Sequence, residues 1–336
     1  MSDPTAADAP VDVVGVGNAL VDVLSLATDE FLDDHGLNKG SMALLDADQA
    51  ERLYDAMGPG TEMSGGSAAN TMVGVASLGG ASAFVGRVRD DTLGRVFAHD
   101  IQASGVQYDT VAATSGDPTG RCLILVTPDA ERTLNTFLGA AAQLHADDVS
   151  EPLLSRAQVT YLEGYLFDQP DAKDAFRLAA RLAHGAGRRV ALSLSDTFCV
   201  ERHHNDFLAL VEHEVDILFG NDTEIRALYR VDRLDDAFGL VARHCELAAL
   251  TRGPDGSVVV TPEGTHEVAA QPVAGPVVDT TGAGDQYAAG FLFAFTRGLD
   301  PVTCGKIGAI AASEVIAHLG ARPERPLAEL AASLLP

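Results

Sequence analysis

The chain has 336 residues, of which 46% are hydrophobic and 21% charged, a composition typical of globular proteins that excludes disordered and collagen-like classes. Its 23 basic and 48 acidic residues give a net charge of −25, which repels nucleic-acid phosphates and anionic lipid. We therefore expect neither nucleic acid nor a membrane as a partner. The four cysteines form no CxxC pair, and the first twelve residues lack the features of a signal peptide. These features predict a cytoplasmic protein with reduced thiols.

The first half of the chain alternates apolar runs with helical patterns. After residues 1–10, which we predict to be a flexible tail, VDVVGVGNALVDVL (11–24) predicts one buried strand. Helices are predicted at 47–57, within 64–80 and within 90–105, with a strand at 81–86. Residues 106–138 have β-prone runs and no helical period, which predicts antiparallel β structure outside the main sheet.

From residue 158 onward, strand and helix patterns alternate regularly. Strands are predicted at 159–167, 188–195 and 215–220, separated by helices at 171–187, 207–214 and 221–229. A strand and a hairpin follow within 247–272, and helices at about 284–297 and 301–319 complete the pattern. Apolar strands separated by amphipathic helices predict an α/β fold with a mostly parallel sheet covered on both faces.

The segment VVDTTGAGDQYAAG (277–290) carries the strongest chemical signal. Gly282, Ala283 and Gly284 precede a predicted helix, whose free N–H groups would form an anion site. Asp285 would oppose a bound phosphate unless it accepts a proton from a hydroxyl that attacks the phosphorus. An aspartate N-cap in a glycine-rich turn is the alternative. The sequence contains no Walker A motif, and GVGNAL (15–20) lacks the third glycine of the dinucleotide motif.

DTTGAGD (279–285) resembles the second signature of the ribokinase-like, or PfkB, sugar and nucleoside kinases. Other segments resemble further motifs of that family in the same order: GNALVD (17–22), the Gly-Gly pair at 65–66 with Asn70, VDILFGNDTE (215–224), LTRGPDGSVVV (250–260) and GARPERP (320–326). The resemblance spans about residues 11–327. It implies a ribokinase-like three-layer sandwich over residues 11–330, with about 20–45 and 106–140 contributing to a small β lid.

The resemblance also implies a reaction and a set of site residues. It implies ATP-dependent phosphorylation of a primary hydroxyl, with ATP and Mg²⁺ as cofactors and K⁺ as an additional cation. The implied residues are Asp285 as general base with Gly282, Ala283 and Gly284 as anion hole; Asn18, Asp22, Gly65, Gly66 and Asn70 for substrate; Asn221, Thr251, Gly253 and Gly256 for ATP; Glu224 for Mg²⁺ through water; and Asp279 and Thr281 for the monovalent cation.

Several alternatives stay open at this level. Asn221 and Glu224 also fit a helix capping box. Within the family the motifs resemble the branch that phosphorylates nucleosides such as adenosine, but the acceptor could be a free sugar such as ribose or fructose. A non-catalytic nucleotide- or sugar-binding protein of the same fold is a further alternative. Four arginines are candidates to neutralise the transferring phosphoryl group: Arg121, Arg132, Arg252 and Arg322. The protein could be a monomer or a homodimer.

Overall fold

Two β-sheets organise the chain in a computed structural model that describes residues 9–129 and 131–335. Most of the predicted N-terminal tail, residues 1–8, lies outside the described residues. The strands in chain order are β1 (Val11–Val16), β2 (Leu20–Leu26), β3 (Met42–Leu44), β4 (Gly60–Gly65), β5 (Ser82–Val85), β6 (Gln107–Tyr108), β7 (Gly120–Val126), β8 (Arg132–Phe137), β9 (Ala157–Glu163), β10 (Arg189–Ser193), β11 (Ile217–Asn221), β12 (Leu247–Thr251), β13 (Ser257–Thr261) and β14 (Gly264–Val268).

Helices connect these strands. In chain order they are α1 (Asp29–Asp34), α2 (Ala47–Ala56), α3 (Ser67–Ser77), α4 (Thr92–Ala103), α5 (Glu151–Arg156), α6 (Pro170–Gly185), α7 (Thr197–Arg202), α8 (His204–His213), α9 (Asp222–Tyr229), α10 (Asp235–Val241), α11 (Ala283–Thr296), α12 (Pro301–Val315) and α13 (Leu327–Ala331). Among the described residues, no helix has both the length and the apolarity needed to cross a membrane.

The main sheet has nine strands in the order β14-β13-β12-β11-β10-β9-β1-β5-β6. All neighbouring pairs are parallel except β12–β13 and β13–β14, which are antiparallel. On one face of this sheet Val13 and Tyr161 pack in a core with α3, α11 and α12, and on the other face Val14 and Leu162 pack with α6 and α8. Helices therefore cover both faces, and the predicted three-layer α/β fold is confirmed.

The second sheet has five strands in the order β3-β8-β7-β2-β4. One of its faces, which includes Val21 and Leu123, joins the main core, whereas Cys122, Ile124 and Leu134 form a small apolar cluster on the opposite face. The sequence analysis missed β4, because GTEMSG has no β-prone run and becomes a strand through its pairing with β2. That this second sheet acts as a lid stays a prediction.

The prediction of one continuous strand over 11–24 is wrong. The run forms β1 in the main sheet and β2 in the second sheet, and Gly17–Ala19 connect them. Apolarity is continuous across the break because both strands are buried, so the hydrophobic pattern could not locate it. Glu163, a distant residue, contacts this break: the Asn18 amide and Asn18 Nδ2 donate to Glu163 Oε1 at 3.3 and 2.7 Å, and a Cβ at Gly17 would lie 2.4 Å from Glu163 Oε2.

Candidate active site

A cleft of about 530 Å³ opens at the carboxyl ends of the parallel strands. The terminal residues of four neighbouring strands line it: Glu163, Ser193, Asn221 and Thr251. Residues of the second sheet, including Leu20 and Ile124, line the opposite wall. Ligands of parallel α/β sheets bind at this edge, and the volume suits a small organic molecule. The cleft is therefore the candidate active site.

Asp285 lies in the first turn of α11 and lines the cleft. Its Oδ1 accepts a hydrogen bond from Ser67 Oγ at 2.6 Å, and its Oδ2 accepts one from Asn70 Nδ2 at 3.4 Å. Removal from bulk water raises the pKa of Asp285 to about 6, although the Ser67 and Asn70 hydrogen bonds lower it. The group is thus mostly ionised at neutral pH and has a pKa suited to accepting a proton.

The glycine loop before Asp285 places backbone amides beside that carboxylate. Gly282 is the N-cap of α11 with φ of 77°, and a Cβ there would lie 2.6 Å from Ala321, so only glycine fits. The Ala283 amide donates to the Thr280 carbonyl at 3.2 Å, which corrects the prediction that all three amides are free. Within the described chain no acceptor is found for the Gly282 and Gly284 amides, which leaves two donors for an anion at the positive end of α11.

Asn18 and Glu163 form a buried pair in the wall of the cleft. Glu163 Oε1 accepts from Asn18 Nδ2 at 2.7 Å, and Glu163 Oε2 accepts from the Ala68 amide at 2.8 Å. Burial raises the pKa of Glu163 to about 7. Because Glu163 takes the amide nitrogen of Asn18, the Asn18 Oδ1 atom is left as an unpaired acceptor, suited to a donor such as a hydroxyl.

Asp22 lies against the Gly65–Gly66 pair in the wall of the cleft. Asp22 of β2 is half-buried and lines the cleft together with Gly66, which caps α3. A Cβ at Gly65 would lie 2.3 Å from Asp22 Cγ, so glycine is required for the carboxylate to occupy this position. Burial raises the pKa of Asp22 to about 6, while Arg322 and Arg132 lower it.

Asn221 and Glu224 form the predicted capping box at the start of α9. The Asn221 amide donates to Glu224 Oε2 at 2.9 Å, and Asn221 Nδ2 donates to Glu224 Oε1 at 2.6 Å. Both residues also line the cleft, so the structural and functional readings of this pair are compatible. Burial, reinforced by the charge of Asp196, raises the pKa of Glu224 to about 7.

The cleft-lining residues around Glu224 fit Mg²⁺. Glu224 and Asp196 offer carboxylate oxygens, the ligands that Mg²⁺ prefers. No group of three or more acidic, histidine or cysteine residues that could hold a metal occurs in the described part of the chain. A bound Mg²⁺ would therefore need nucleotide phosphates and water to complete its coordination.

The other residues implied for ATP differ in position. Thr251 lines the cleft at the end of β12. Gly253 and Gly256 have positive φ angles in the turn between β12 and β13, and neither lies among the cleft-lining residues. Their role in ATP binding stays a prediction.

Asp279 accepts three hydrogen bonds from the protein. Its Oδ2 accepts from Arg132 Nη1 at 2.7 Å and from the Gly320 amide at 3.0 Å, and its Oδ1 accepts from the Thr281 amide at 3.0 Å. Arg132 and Asp279 are both buried, so this ion pair joins β8 of the second sheet to the loop before α11. Thr281 lines the cleft, and the assignment of Asp279 and Thr281 to a monovalent cation stays a prediction from which we derive no step.

The four candidate arginines lie in different places. Arg121 packs over the ring of Tyr54, and Arg252 pairs with Glu267. Arg132 contacts Asp279, and Arg322 contacts Asn70 and Asp100. The last two are thus the arginines that touch predicted site residues.

Sequence reasoning missed Glu163, Ser67 and Asp196, all of which line the cleft. Glu163 ends the apolar strand run VTYLE, and a charged residue at that point was a usable signal. Ser67 directly follows the Gly-Gly pair, but nothing local shows that it contacts a residue 218 positions later.

Comparison with known proteins agrees with this geometry. Residues 47–327 match the pfkB family carbohydrate kinase, and the chain belongs to that family of kinases. It is similar to the adenosine kinase of Sinorhizobium meliloti, with 49% identity, a TM-score of 0.89 and coverage of 97% of this chain and 100% of that one. A probable sugar kinase from Rhizobium etli is 46% identical, with a TM-score of 0.89 and coverage of 97% and 99%. Adenosine kinase 1 of Arabidopsis thaliana is 28% identical over 94% of this chain and 96% of its own.

Proposed function

We propose that this kinase transfers the γ-phosphoryl group of ATP to a primary hydroxyl of a nucleoside of the adenosine type. One observation carries the proposal: Asp285 lies beside the unpaired amides of Gly282 and Gly284, in the same cleft as Asn18 and Asp22. Kinases of the pfkB family use ATP, which supplies the phosphoryl donor.

Asp285 is the general base in this mechanism. Its carboxylate, ionised at neutral pH, accepts the proton of the attacking hydroxyl. Ser67 and Asn70 hold the carboxylate in place, because each donates to a different oxygen. The Gly282 and Gly284 amides, at the positive end of α11, stabilise the negative charge on the transferred phosphoryl group.

Positioning of the two substrates accounts for the rest of the site. Asn18 Oδ1 and the Asp22 carboxylate accept hydrogen bonds from acceptor hydroxyls, which orients the reacting oxygen. Glu224 and Asp196 would hold water molecules on Mg²⁺, and this ion, when bound, neutralises charge on the β- and γ-phosphates. The second sheet would exclude water from the cleft and so limit ATP hydrolysis.

Two features support a nucleoside as acceptor. The cleft wall formed by Cys122, Ile124 and Leu134 is apolar and suits a base ring better than a bare sugar. The Sinorhizobium meliloti relative is named as an adenosine kinase. The Rhizobium etli relative, named as a probable sugar kinase, makes a free sugar the second candidate.

A substrate panel tests the proposal. The protein is incubated with Mg-ATP and, separately, adenosine, other nucleosides, ribose and fructose, and ADP release is measured. We expect adenosine to give the largest stimulation and ³¹P NMR to show a new phosphomonoester on its primary hydroxyl. If only ribose or fructose stimulates ADP release, the phosphoryl acceptor is a sugar and not a nucleoside. If no compound stimulates ADP release, the kinase proposal is wrong and a binding protein takes its place.

A further inference from the structure

Arg322, in the segment that follows α12, is largely buried next to Asn70 of the candidate active site. The Arg322 side chain is 13% exposed, and its Nη1 donates to Asp100 Oδ2 at 2.7 Å. Its Nη2 donates to Ser64 Oγ, and both the amide and the hydroxyl of Ser64 donate to the same Asp100 oxygen. The guanidinium is thus held in one orientation between β4 and α4.

From that position Arg322 reaches the amide of Asn70. Arg322 Nε donates to Asn70 Oδ1 at 3.4 Å, and Asn70 Nδ2 donates to Asp285 Oδ2 at 3.4 Å. A side-chain amide has one acceptor oxygen and one donor nitrogen, so a donor on one side turns the NH₂ group to the other side. Arg322 therefore favours the amide orientation that places the Asn70 donor against Asp285.

Gln286 fixes the backbone around this contact. Gln286 is fully buried, and its Nε2 donates to the Asn70 carbonyl at 3.0 Å and to the Ala321 carbonyl at 2.9 Å. One side chain therefore ties α3 to the residue before Arg322. The spacing between Arg322 and Asn70 is set by the fold and not by a flexible loop.

We propose that Arg322 is a positioning residue that turns the Asn70 amide toward Asp285. The inference rests on the proposed function, since it assigns Asp285 its role in that reaction. The Asn70 contact bears on turnover and on the ionisation of Asp285 but not on adenosine affinity, and loss of a purely structural clamp would not separate these quantities.

The test compares R322K, R322Q and a matched control. R322K keeps the charge but loses the Nε donor, R322Q loses the charge, and R325Q removes an exposed arginine from the same segment. Three quantities are measured: kcat with adenosine, adenosine affinity by calorimetry without ATP, and the titration midpoint of Asp285 by ¹³C carboxyl NMR, assigned with D285N. The NMR readout needs no substrate.

For R322K we expect kcat to fall about tenfold with adenosine affinity nearly kept, since only the oriented donor is lost. For R322Q we expect a similar loss of kcat. In both variants the Asp285 titration midpoint should rise, because the Asn70 donor that favours the ionised carboxylate is no longer held against it. R325Q should match the wild type.

Two results would overturn the inference. One is an Asp285 midpoint in R322Q equal to that of the wild type, and the other is an R322K enzyme with unchanged kcat. If R322Q does not fold, the kcat and the Asp285 midpoint of R322K decide alone, since that variant also lacks the Nε donor. If the wild type phosphorylates nothing in the panel, the proposed function fails, and the Asp285 midpoint still shows whether Arg322 orients the Asn70 amide.

Discussion

Two carboxylates that line the cleft have raised pKa values but different hydrogen-bond partners. Asp285, at the start of α11, accepts one short hydrogen bond from Ser67 and one long one from Asn70, both on α3. Glu224, at the start of α9, has both oxygens engaged by Asn221, the N-cap of its own helix. A raised pKa alone therefore does not identify a base: Asp285 lies beside the Gly282 and Gly284 amides, whereas Glu224 completes a capping box.

The largest expected difference between the two carboxylates is in the loss of kcat when each is replaced by its amide. We expect D285N to lower kcat by about 10²–10⁴-fold, the range for loss of a positioned general base, with adenosine affinity little changed. E224Q should lower kcat less and should raise the Mg²⁺ concentration needed for half-maximal rate. Initial rates with a coupled ADP assay, and calorimetry for binding, check both.

Exposed Asp232 provides the control, because D232N changes the same functional group far from the described cleft lining. Equal losses of kcat in D285N and E224Q would mean that the two carboxylates do not divide into a general base and a residue that holds metal-bound water. A D285N enzyme with near-normal kcat would show that another group takes the proton.

The pH dependence sharpens the assignment of Asp285. Asp285 and Asp22 both have pKa values raised to about 6, and in the proposed mechanism both act in the ionised form. We expect kcat/KM to fall as pH drops below 6, with a slope approaching about two because two coupled groups take up protons. D22N should reduce that slope to about one. A flat profile of kcat/KM from pH 5 to 8 would contradict the roles of both residues.

The smallest expected effect concerns stability at Glu224. Its pKa is raised from 4.5 to about 7 in the folded protein, so its ionisation disfavours the folded state increasingly as pH rises from 4.5 through 7. E224Q removes that cost and keeps the capping box, since glutamine serves at the same position. Without Mg²⁺ at pH 8, E224Q should therefore be at least as stable as the wild type.

E224A provides the comparison for the cap, since it removes the acceptor as well as the charge. We expect its free energy of unfolding at pH 8 to lie about 1 kcal/mol below that of E224Q, the usual worth of a helix cap. Denaturant unfolding at pH 5 and pH 8 measures both variants. An E224Q variant less stable than the wild type at pH 8 would mean that the ionised carboxylate stabilises α9.

Most of the main sheet could be predicted from sequence because its signals are local. Strands such as β9, β10 and β11 are short apolar runs, and α6 repeats Ala and Leu at helical spacing. The prediction that all of 106–138 is antiparallel and outside this sheet is wrong, since β6 pairs parallel with β5 in the main sheet and β7 pairs parallel with β2. The break between β1 and β2 could not be predicted, since both strands are apolar and Glu163, which contacts the turn, is distant in the chain. β4 was missed because its strand conformation comes from pairing and not from composition.

The residues of the candidate site also divide into those with a local sequence signal and those without one. Asp285, Asn70 and Asp22 were found because short motifs mark them. Glu163 was missed because its contacts join it to Asn18 and Ala68, 145 and 95 positions away. The Arg132–Asp279 pair could not be inferred either, since no local pattern tells which arginine of a strand meets which aspartate of a distant loop.

The Arg132–Asp279 ion pair connects the second sheet to the loop before α11. Arg132 belongs to the second sheet, while Asp279 also holds the Thr281 and Gly320 amides next to the glycine loop. In the predicted lid role, an outward movement of the second sheet would separate these two buried charges, which is costly, and would remove one of the contacts that hold that loop. Ligand entry and the arrangement of the anion-binding amides would then change together in each turnover.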